Sequence, residues 1–513
     1  MMPLTGSSID AWIQSWFGPV VDVLEAIVFY ELTLGALSVP LLVIWLTAGG
    51  LFLTLWLRMR PWRDLRHTLD ILRGRFSRYD DEGEVTSFQA LATELSGTVG
   101  LGNIAGVAVA ITVGGPGAVF WIIVSGMFGM ALKMSEATLA QKYRRVNIDG
   151  TIDGGPMYYL RDGLADIGRP RLGRVLALIF GACMMVAATG AGNIFQSNQM
   201  TAQIIGATGG EASWFAERGW LIGVVLATVV GIVILGGLKK IAQWTGRITP
   251  IMAVLYIGCV LVVLGVNIQH VPESLGLIFS GAFTGEGVTG GVVGVMVVGI
   301  QRALFSNAAG VGTAGMAHAA TKNRRPAAEG MVASWEPFID SVVVCTMTAL
   351  AIIVTGEYKS SESDGVALTT DAFATVHAIF PWLLTVCIAL FAFSTVLAFS
   401  YYGRKAAGFV FNRSRVAERV YDVVYLTMIV LGSAVTLETV VRFSDALFFL
   451  VTIPNLVGIY FLSNVLRREI NGHREKVQAG EIDPVPEAER STIFGRPVAE
   501  RVTEQPEPAS RGV

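Results

Sequence analysis

The chain has 513 residues, of which 53% are hydrophobic and only 15% are charged. A soluble protein would carry roughly 25% charged residues, so this composition excludes an ordinary soluble protein and predicts an all-α polytopic membrane protein. The net charge of −2 says little, because the placement of the charges matters more than their sum. Four cysteines lie inside apolar runs without a C-x-x-C pair, so they indicate neither a disulfide framework nor a metal site.

Eleven apolar segments are long enough to cross a bilayer, which takes a helix of about 20 residues. The stretch before them, 11–30, is apolar but carries Asp22 and Glu25. It predicts an interfacial helix within an extracellular N-terminal segment, 1–36. The eleven predicted transmembrane helices lie near 37–58, 88–112, 116–141, 173–205, 218–237, 248–267, 290–320, 328–356, 375–402, 420–438 and 443–466.

Basic residues alternate from loop to loop along these spans. The loop after the first span is rich in arginine, whereas loops 113–115 and 268–289 contain no Lys or Arg. Cytoplasmic loops carry the excess of Lys and Arg. The pattern therefore predicts a multi-pass protein of the cell membrane with its N-terminus outside and its C-terminus in the cytoplasm. Residues 469–513 are polar, with several prolines and glutamates, and predict a disordered cytoplasmic tail.

The second span contains SGTVGLGNIAG, residues 96–106, whose glycines admit three interpretations. A nucleotide-phosphate loop needs a strand before it, whereas the flanks here are apolar spans. A helix-packing seam is possible, because Gly102 and Gly106 form a G-x-x-x-G pair. A deliberate break in a membrane helix is favoured by a second interrupted segment, LFSNAAGVGTAG at 304–315, in the seventh span.

If the first span is peripheral, the two interrupted spans become the first helix of each group of five. Five is odd, so the second group runs inverted, and paired broken helices in inverted halves point to a transporter binding site. The predicted units are a peripheral helix with a basic loop (37–86), a first repeat (87–267) and an inverted second repeat (290–468). Backbone N–H groups freed near residues 100–103 suit a carboxylate, and carbonyls freed near residues 96–99 suit Na⁺.

Longer motifs carry a family resemblance. They are GTVGLGNIAGVAVAITVGGPGAVFW (97–121), DGGPMYYLRDGL (153–164), ALFSNAAGVGTAGMAHAA (303–320), FIDSVVVCTMTAL (338–350) and FAFSTVLAFSYYG (391–403). With them the chain resembles the alanine/glycine:cation symporter family (sodium:alanine symporters) from about residue 37 to 468. The resemblance implies the ten-helix (5+5) inverted-repeat fold of the leucine transporter. It also implies sodium- or proton-coupled transport of small neutral amino acids.

The same resemblance implies roles for residues at the breaks and on the helices that face them. Backbone of the first break would hold the substrate carboxylate, and carbonyls of the second break would meet the amino group. The implied substrate-binding residues are Gly100, Leu101, Gly102, Asn103, Gln196, Ser306, Asn307, Thr395 and Phe399. The implied ion ligands are Ser96, Thr98, Val99, Asn103, Ser394 and Thr395.

Three positions depart from the family pattern. Ala308 follows Phe-Ser-Asn where the family often has Glu, Leu101 replaces a usual Thr, and Phe399 replaces a usual Trp. If Phe399 lines the side-chain end of the pocket, the cavity is wider or reshaped, and the preferred amino acid stays open.

Ionisable residues inside spans are functional candidates by default, because a charge at mid-membrane costs at least ~2.5–3.5 kcal/mol. Glu336 and Asp340 lie in the eighth span, and we expect Arg302 of the seventh span to pair with them. This set is either a structural pair or a gate or coupling site. Lys133 and Glu136, at i,i+3 in the third span, predict a plain ion pair.

These observations predict a secondary active symporter that imports a small neutral amino acid, such as alanine or glycine, with Na⁺ by alternating access. A proton-coupled transporter of the same fold is the alternative. An ion channel is disfavoured, because two interior breaks suit an occluded site better than a pore. An intramembrane enzyme using Glu336 and Asp340 lacks a nucleophile or metal motif, so we expect no enzymatic activity. The expected partners are the amino acid and the lipid bilayer, without nucleic acid or an obligate protein partner.

Overall fold

The structure is a computed structural model that describes residues 6–34, 37–284, 291–359, 365–434 and 438–494. Helices dominate it, because in a bilayer long apolar runs can satisfy their own backbone hydrogen bonds as helices. Those up to residue 266 are α1 (Gly6–Val28), α2 (Leu41–Trp56), α3 (Arg60–Arg63), α4 (Leu65–Leu72), α5 (Ser87–Thr98), α6 (Val107–Gly114), α7 (Ala118–Lys142), α8 (Pro156–Tyr158), α9 (Leu164–Asp166), α10 (Pro170–Thr189), α11 (Phe195–Ala207), α12 (Gly219–Ile234) and α13 (Gly237–Val266).

The second part of the chain is built in the same way. Its helices are α14 (Val271–Thr284), α15 (Gly291–Asn307), α16 (Thr313–His318), α17 (Pro326–Ala333), α18 (Thr346–Thr355), α19 (Gly365–Ala374), α20 (Phe380–Val410), α21 (Arg415–Ala434), α22 (Glu438–Leu450) and α23 (Thr452–Gln478). Short π-helical stretches are Gly102–Gly106, Tyr159–Gly163, Gly190–Ile194 and Phe338–Cys345. Two small antiparallel sheets pair β1 (Glu31–Leu34) with β2 (Leu37–Pro40) and β3 (Arg145–Val146) with β4 (Ile152–Asp153).

Six helical stretches of the described chain are long and apolar enough to cross a membrane, and the bent pair α5–α6 makes a seventh. Three shorter apolar helices, α2, α12 and α15, add to them. The prediction of a mostly helical, polytopic membrane protein is therefore confirmed. The number of eleven spans and the 5+5 inverted repeat stay predictions.

Two long helices, α7 and α20, pack against the two interrupted helices. Helix α7 packs on α15, α16 and α17, while α20 packs on α5, α10, α11 and α13. Helix α16 also contacts α5, so these halves of the two interrupted helices touch. This packing brings residues that are some 200 positions apart in sequence into one site.

The predicted disorder of the tail, 469–513, needs correction as far as residue 494. Helix α23 continues to Gln478, and the segment after it returns to the loop before α5, where the Ser491 N–H donates to the Ser77 carbonyl at 3.1 Å. A polar segment cannot bury a core of its own, but here it pairs with backbone elsewhere in the chain. The remaining residues, 495–513, lie outside the described part.

Candidate functional site

The first interrupted helix is bent by 54° between α5 and the helical stretch Gly102–Gly114. Thr86 begins α5 with a capping box, in which its hydroxyl accepts from the Gln89 N–H and the Gln89 side chain accepts from the Thr86 N–H. The helix ends at Thr98 and restarts as one π-helical turn. Helices lie on both sides, so this glycine-rich stretch is a break in a membrane helix and not a phosphate loop.

The second break separates α15 from α16 and has a left-handed backbone. Ala308, Gly310 and Gly312 have φ angles of 50°, 92° and 94°. Glycine adopts this conformation readily, whereas a residue with a Cβ atom does so at a cost. The glycines of G-V-G therefore allow the chain to turn sharply between the two half-helices.

Protein groups satisfy the part of the second break that lies next to α16. The Gly312 N–H donates to Glu136 Oε1 at 3.0 Å, and Asn455 Nδ2 donates to the Gly310 carbonyl at 2.8 Å. Asn455 also donates to Glu136 and accepts from the Tyr159 hydroxyl. These backbone groups of the second break therefore have protein partners.

A cavity of about 30 Å³ lies between the two breaks. Its lining residues are Gly97, Thr98, Gly100, Gly102, Ala191, Gln196, Phe305, Ser306, Ala308, Phe399 and Phe448. Five of the predicted substrate-binding residues therefore surround one space: Gly100, Gly102, Gln196, Ser306 and Phe399.

Gln196 presents an unused acceptor near this cavity. Its Nε2 donates to the Ala191 carbonyl at 3.4 Å, whereas its Oε1 is buried and has no donor among the described residues. This oxygen would lie 3.8 Å from a Cβ atom placed on Gly100. A buried acceptor without a donor costs ~1–3 kcal/mol, which a bound ammonium group would offset.

The other predicted substrate residues lie beside the cavity and not on its wall. Leu101 lines a second cavity of about 430 Å³. The side chains of Asn103 and Asn307 are hydrogen-bonded to other parts of the protein. Thr395 Oγ1 lies 3.0 Å from the position a Cβ atom on Gly100 would take, so it is close to the first break.

Phe399 forms one wall of the cavity because Gly192 leaves room for its ring. A Cβ atom built on Gly192 would overlap that ring. The ring also meets those of Tyr402 and Phe448, with centroid distances of 5.4 and 6.1 Å. The size of the residue at 399 is therefore constrained on several sides.

Buried oxygen atoms of three predicted ion ligands lie together next to the cavity. The Ser96 carbonyl accepts from Thr395 Oγ1 at 2.9 Å and from Ser394 Oγ at 3.4 Å. Carbonyl and hydroxyl oxygens are ligands that hard cations prefer. Thr98 lies on the cavity wall and Val99 is buried at the end of α5.

Asp340 joins the two breaks through neutral hydrogen-bond donors. Its Oδ1 accepts from Asn103 Nδ2 at 2.6 Å, and its Oδ2 accepts from Ser306 Oγ at 2.8 Å and Ser341 Oγ at 2.9 Å. Asn103 Oδ1 in turn accepts from the Gly100 N–H at 2.8 Å. The carboxylate thus holds a side chain of each interrupted helix.

The predicted pairing of Arg302 with Asp340 and Glu336 is wrong. Arg302 lines the second cavity together with Asp445, while Asp340 faces the breaks. The sequence places all of these residues inside spans, but the direction in which each points depends on how the helices pack.

Glu336 instead pairs with Lys133, and the predicted Lys133–Glu136 ion pair is also wrong. Lys133 Nζ lies 2.9 Å from Glu336 Oε2 and 2.5 Å from Glu94 Oε1. Sequence reasoning missed Glu94, although an ionisable residue inside the apolar run of the second span was an available signal. All three side chains are fully buried.

The overall fold is similar to that of a solved structure, MhsT in complex with L-phenylalanine. The TM-score is 0.51 at 14% identity, covering 73% of this chain and 89% of that one. Together with the two helix breaks, this likeness defines a membrane protein with the leucine-transporter fold.

The family model for the sodium:alanine symporter family matches residues 24–488, and the chain belongs to this family. It is 37% identical to the sodium/alanine symporter AgcS of Methanococcus maripaludis, over 85% of this chain and 94% of that protein. Two relatives from Bacillus subtilis are the probable sodium/glutamine symporter GlnT (33% identical, 87% and 90% covered) and the putative sodium/proton-dependent alanine carrier protein YrbD (30%, 87% and 92%). The protein is therefore an amino-acid symporter of a membrane and not an enzyme.

Proposed function

We propose that this symporter imports a small neutral amino acid, such as alanine or glycine, together with Na⁺ by alternating access. The observation that carries the proposal is the cavity between the two helix breaks, with a cluster of buried oxygen atoms beside it. Freed backbone groups at broken helices are the typical ligands of substrates and ions in such folds.

The substrate would lie across the cavity as a zwitterion. Its carboxylate would meet the backbone N–H groups of Leu101 and Gly102, where the positive end of a helix favours an anion. Its ammonium group would face Gln196 Oε1 and carbonyls near Ser306. The small size of the cavity supports a small side chain, and the name of AgcS supports alanine, whereas that of GlnT makes glutamine a competing substrate to be tested.

The coupling ion would be Na⁺, held by the Ser96 and Val99 carbonyls with Ser394 and Thr395. Asn103 and the Thr98 backbone would contribute to any second ion site nearer the substrate. Proton coupling is a second candidate, which is favoured by the fully buried Lys133–Glu94–Glu336 cluster. The name of YrbD also supports testing both ions.

The charges of the loops support one orientation of this symporter in the membrane. Basic loops would lie in the cytoplasm, with the N-terminus outside and the C-terminus inside the cell membrane. The units 87–267 and 290–468 would be the inverted repeats, and 37–86 a peripheral helix with its loop. Import would then mean movement from the side of the second cavity to the side of the tail.

Uptake into proteoliposomes tests the proposal directly. Labelled alanine, glycine, serine and glutamine are offered with an inward Na⁺ gradient, with an inward proton gradient alone, and with neither. We expect accumulation of alanine or glycine that requires the Na⁺ gradient. Accumulation driven by the proton gradient alone would select the second candidate, and no gradient-dependent uptake of any of the four would refute the proposal.

A further inference from the structure

Two short helices, α3 and α4, follow directly on the apolar helix α2. Helix α2 has 16 residues. At 1.5 Å per residue it is about 24 Å long, which is shorter than the ~30 Å hydrocarbon core of a bilayer. The chain turns immediately after it, because Arg58 and Met59 both have a left-handed backbone, with φ angles of 54° and 53°. Helices α3 and α4 therefore begin where α2 leaves the hydrocarbon, at the level of the lipid headgroups.

Helix α4 has one face in the protein and one face outside it. Thr68 and Ile71 are buried, where α4 packs against α17 and contacts α5. On the other side, Leu65 and Leu69 are 40% and 42% exposed, and they share a face because they are four positions apart. Met59, which precedes α3, is 50% exposed. Apolar side chains left outside the protein at this level are typical of a helix that lies in the plane of the membrane surface.

The same face carries arginines without a protein partner. Arg66 and Arg73 are exposed and lie about two helical turns apart, beside Leu69. Arg58, in the turn after α2, is exposed as well. None of these three guanidinium groups forms an ion pair or a hydrogen bond with the residues that the structure describes.

The other arginines of this segment already have partners in the protein. The pairs are Arg60 with Asn471, Arg75 with Asp70 and Arg78 with Glu489, at 3.3, 2.9 and 3.0 Å. Arg63 interacts electrostatically with Asp64. The exposed face of α4 and the turn after α2 therefore carry a surplus of positive charge.

We propose that this surface, called the lipid face below, binds the headgroups of anionic phospholipids. The lipid face consists of Arg58, Met59, Leu65, Arg66, Leu69 and Arg73. Its apolar side chains lie among the first acyl carbons, and its guanidinium groups donate to phosphate oxygens, whose geometry the planar guanidinium matches. Apolar burial combined with a basic patch is the pair of signals that holds a segment on an anionic membrane surface.

Charge also distinguishes a lipid from a second copy of this chain as the occupant. In a two-fold symmetric contact the same patch lies on both partners, so the arginines of one lipid face would meet the arginines of the other. An anionic headgroup supplies the opposite charge instead, and each Arg near an anionic membrane surface strengthens the attraction. The exposed apolar side of α2, with Leu51, Phe52 and Leu55, leads directly to the lipid face.

Hydrogen exchange of the full-length protein in lipid nanodiscs, measured by mass spectrometry, tests the proposal. The discs contain either phosphatidylcholine alone or phosphatidylcholine mixed with phosphatidylglycerol. We expect the amides of residues 58–73 to exchange about tenfold more slowly in the mixed discs, because bound anionic headgroups oppose the opening of α4. Equal exchange of this segment in the two kinds of disc would overturn the proposal.

Two further arms of this measurement separate a lipid from other occupants. Inorganic phosphate added to discs of phosphatidylcholine should leave the exchange of 58–73 unchanged. If phosphate alone slowed it as much as phosphatidylglycerol does, the site would bind a free anion and the proposal would be wrong. Slow exchange that appears only in discs with two copies of the chain would assign the lipid face to a second copy and would equally overturn it.

Matched double variants separate the arginines of α4 from a general effect of membrane charge. In Arg66→Gln with Arg73→Gln we expect most of the difference between the two kinds of disc to be lost, whereas Arg66→Lys with Arg73→Lys should keep most of it. The control, Arg474→Gln with Lys476→Gln, removes two positive charges from the last turns of α23 and should keep the full difference.

A full difference in the Arg66→Gln, Arg73→Gln variant would show that these arginines do not bind lipid. The wild-type comparison decides the proposal even if this variant folds poorly. No solute gradient is needed for any of these measurements, so their outcome is independent of the uptake experiments that test the proposed function.

Discussion

Phe399 sets one wall of the candidate cavity, and its ring fits there because Gly192 has no side chain. The residue lies on α20 and packs against aromatic rings, so it cannot move aside freely. The sequence has Phe399 where the family usually has Trp. The structure shows that the ring of Phe399 faces the cavity. The consequence for selectivity can be tested with one substitution.

Phe399→Trp should shift the preference towards the smallest substrates, because the larger indole would fill space near the side-chain end of the cavity. We expect the ratio of kcat/KM for glycine over alanine to rise about tenfold, in the range that one methylene group is worth in a pocket. The measurement is the initial rate of uptake into proteoliposomes. Phe411→Trp, at an exposed position after α20, is the control, and unchanged selectivity would show that Phe399 does not shape the pocket.

Thr395→Ala should weaken the use of Na⁺, because it removes the hydroxyl that lies 2.9 Å from the Ser96 carbonyl. Loss of one such oxygen next to a cation is worth ~1.4 kcal/mol, or a tenfold rise in the Na⁺ concentration for half-maximal uptake. Thr427→Ala, which removes an exposed hydroxyl on α21, should leave that concentration unchanged. If both variants behave as the wild type does, the ion lies elsewhere.

At the scale of whole elements, the tail is attached to the start of α5, the first half of the first interrupted helix. The Val485 N–H donates to the Arg75 carbonyl at 2.8 Å. The Thr86 hydroxyl, at the start of α5, donates to the Ile493 carbonyl at 2.7 Å. The polar composition of the tail predicted disorder because composition does not reveal pairing with a distant loop.

Truncation after Gly480 should loosen the start of α5, because it removes the hydrogen bonds between the tail and the loop that precedes this helix. We expect faster amide hydrogen exchange in residues 75–90 than in the full chain, measured by mass spectrometry. Truncation after Phe494 is the matched control, since it keeps the described contacts. Identical exchange in the two truncated proteins would show that the tail does not stabilise α5.

In the whole molecule, α7 and α20 hold two interrupted helices against each other, and Asp340 connects their breaks. The helical class and the positions of both breaks followed from apolar runs and glycine spacing. The hydrogen-bond partners of Asp340 could not be predicted in this way, because an apolar run indicates burial without specifying which neighbour a side chain faces. A carboxyl group that connects both breaks is expected to matter for transport and not only for stability.

Asp340→Asn should lower the rate of amino-acid uptake about tenfold or more, because one amide N–H₂ would replace an oxygen atom that now accepts hydrogen bonds. A mismatch of this kind in a buried network costs ~1–3 kcal/mol. Uptake and the thermal unfolding temperature are measured together, with Asp483→Asn, on the exposed tail, as the control. Normal ion dependence and uptake in Asp340→Asn would exclude a role for Asp340 in transport.

The sequence by itself determined the class of the protein, the existence of both helix breaks and the family, because hydropathy, glycine spacing and long motifs are properties of local segments. Only the tertiary structure decided that Lys133 pairs with Glu94 and Glu336, that Arg302 faces the second cavity, and that the tail binds the loop before α5. Each of these contacts joins residues from separate elements, so it depends on the rotation and packing of helices. Apolar composition determines that a helix is buried, but not which of its faces meets a given neighbour.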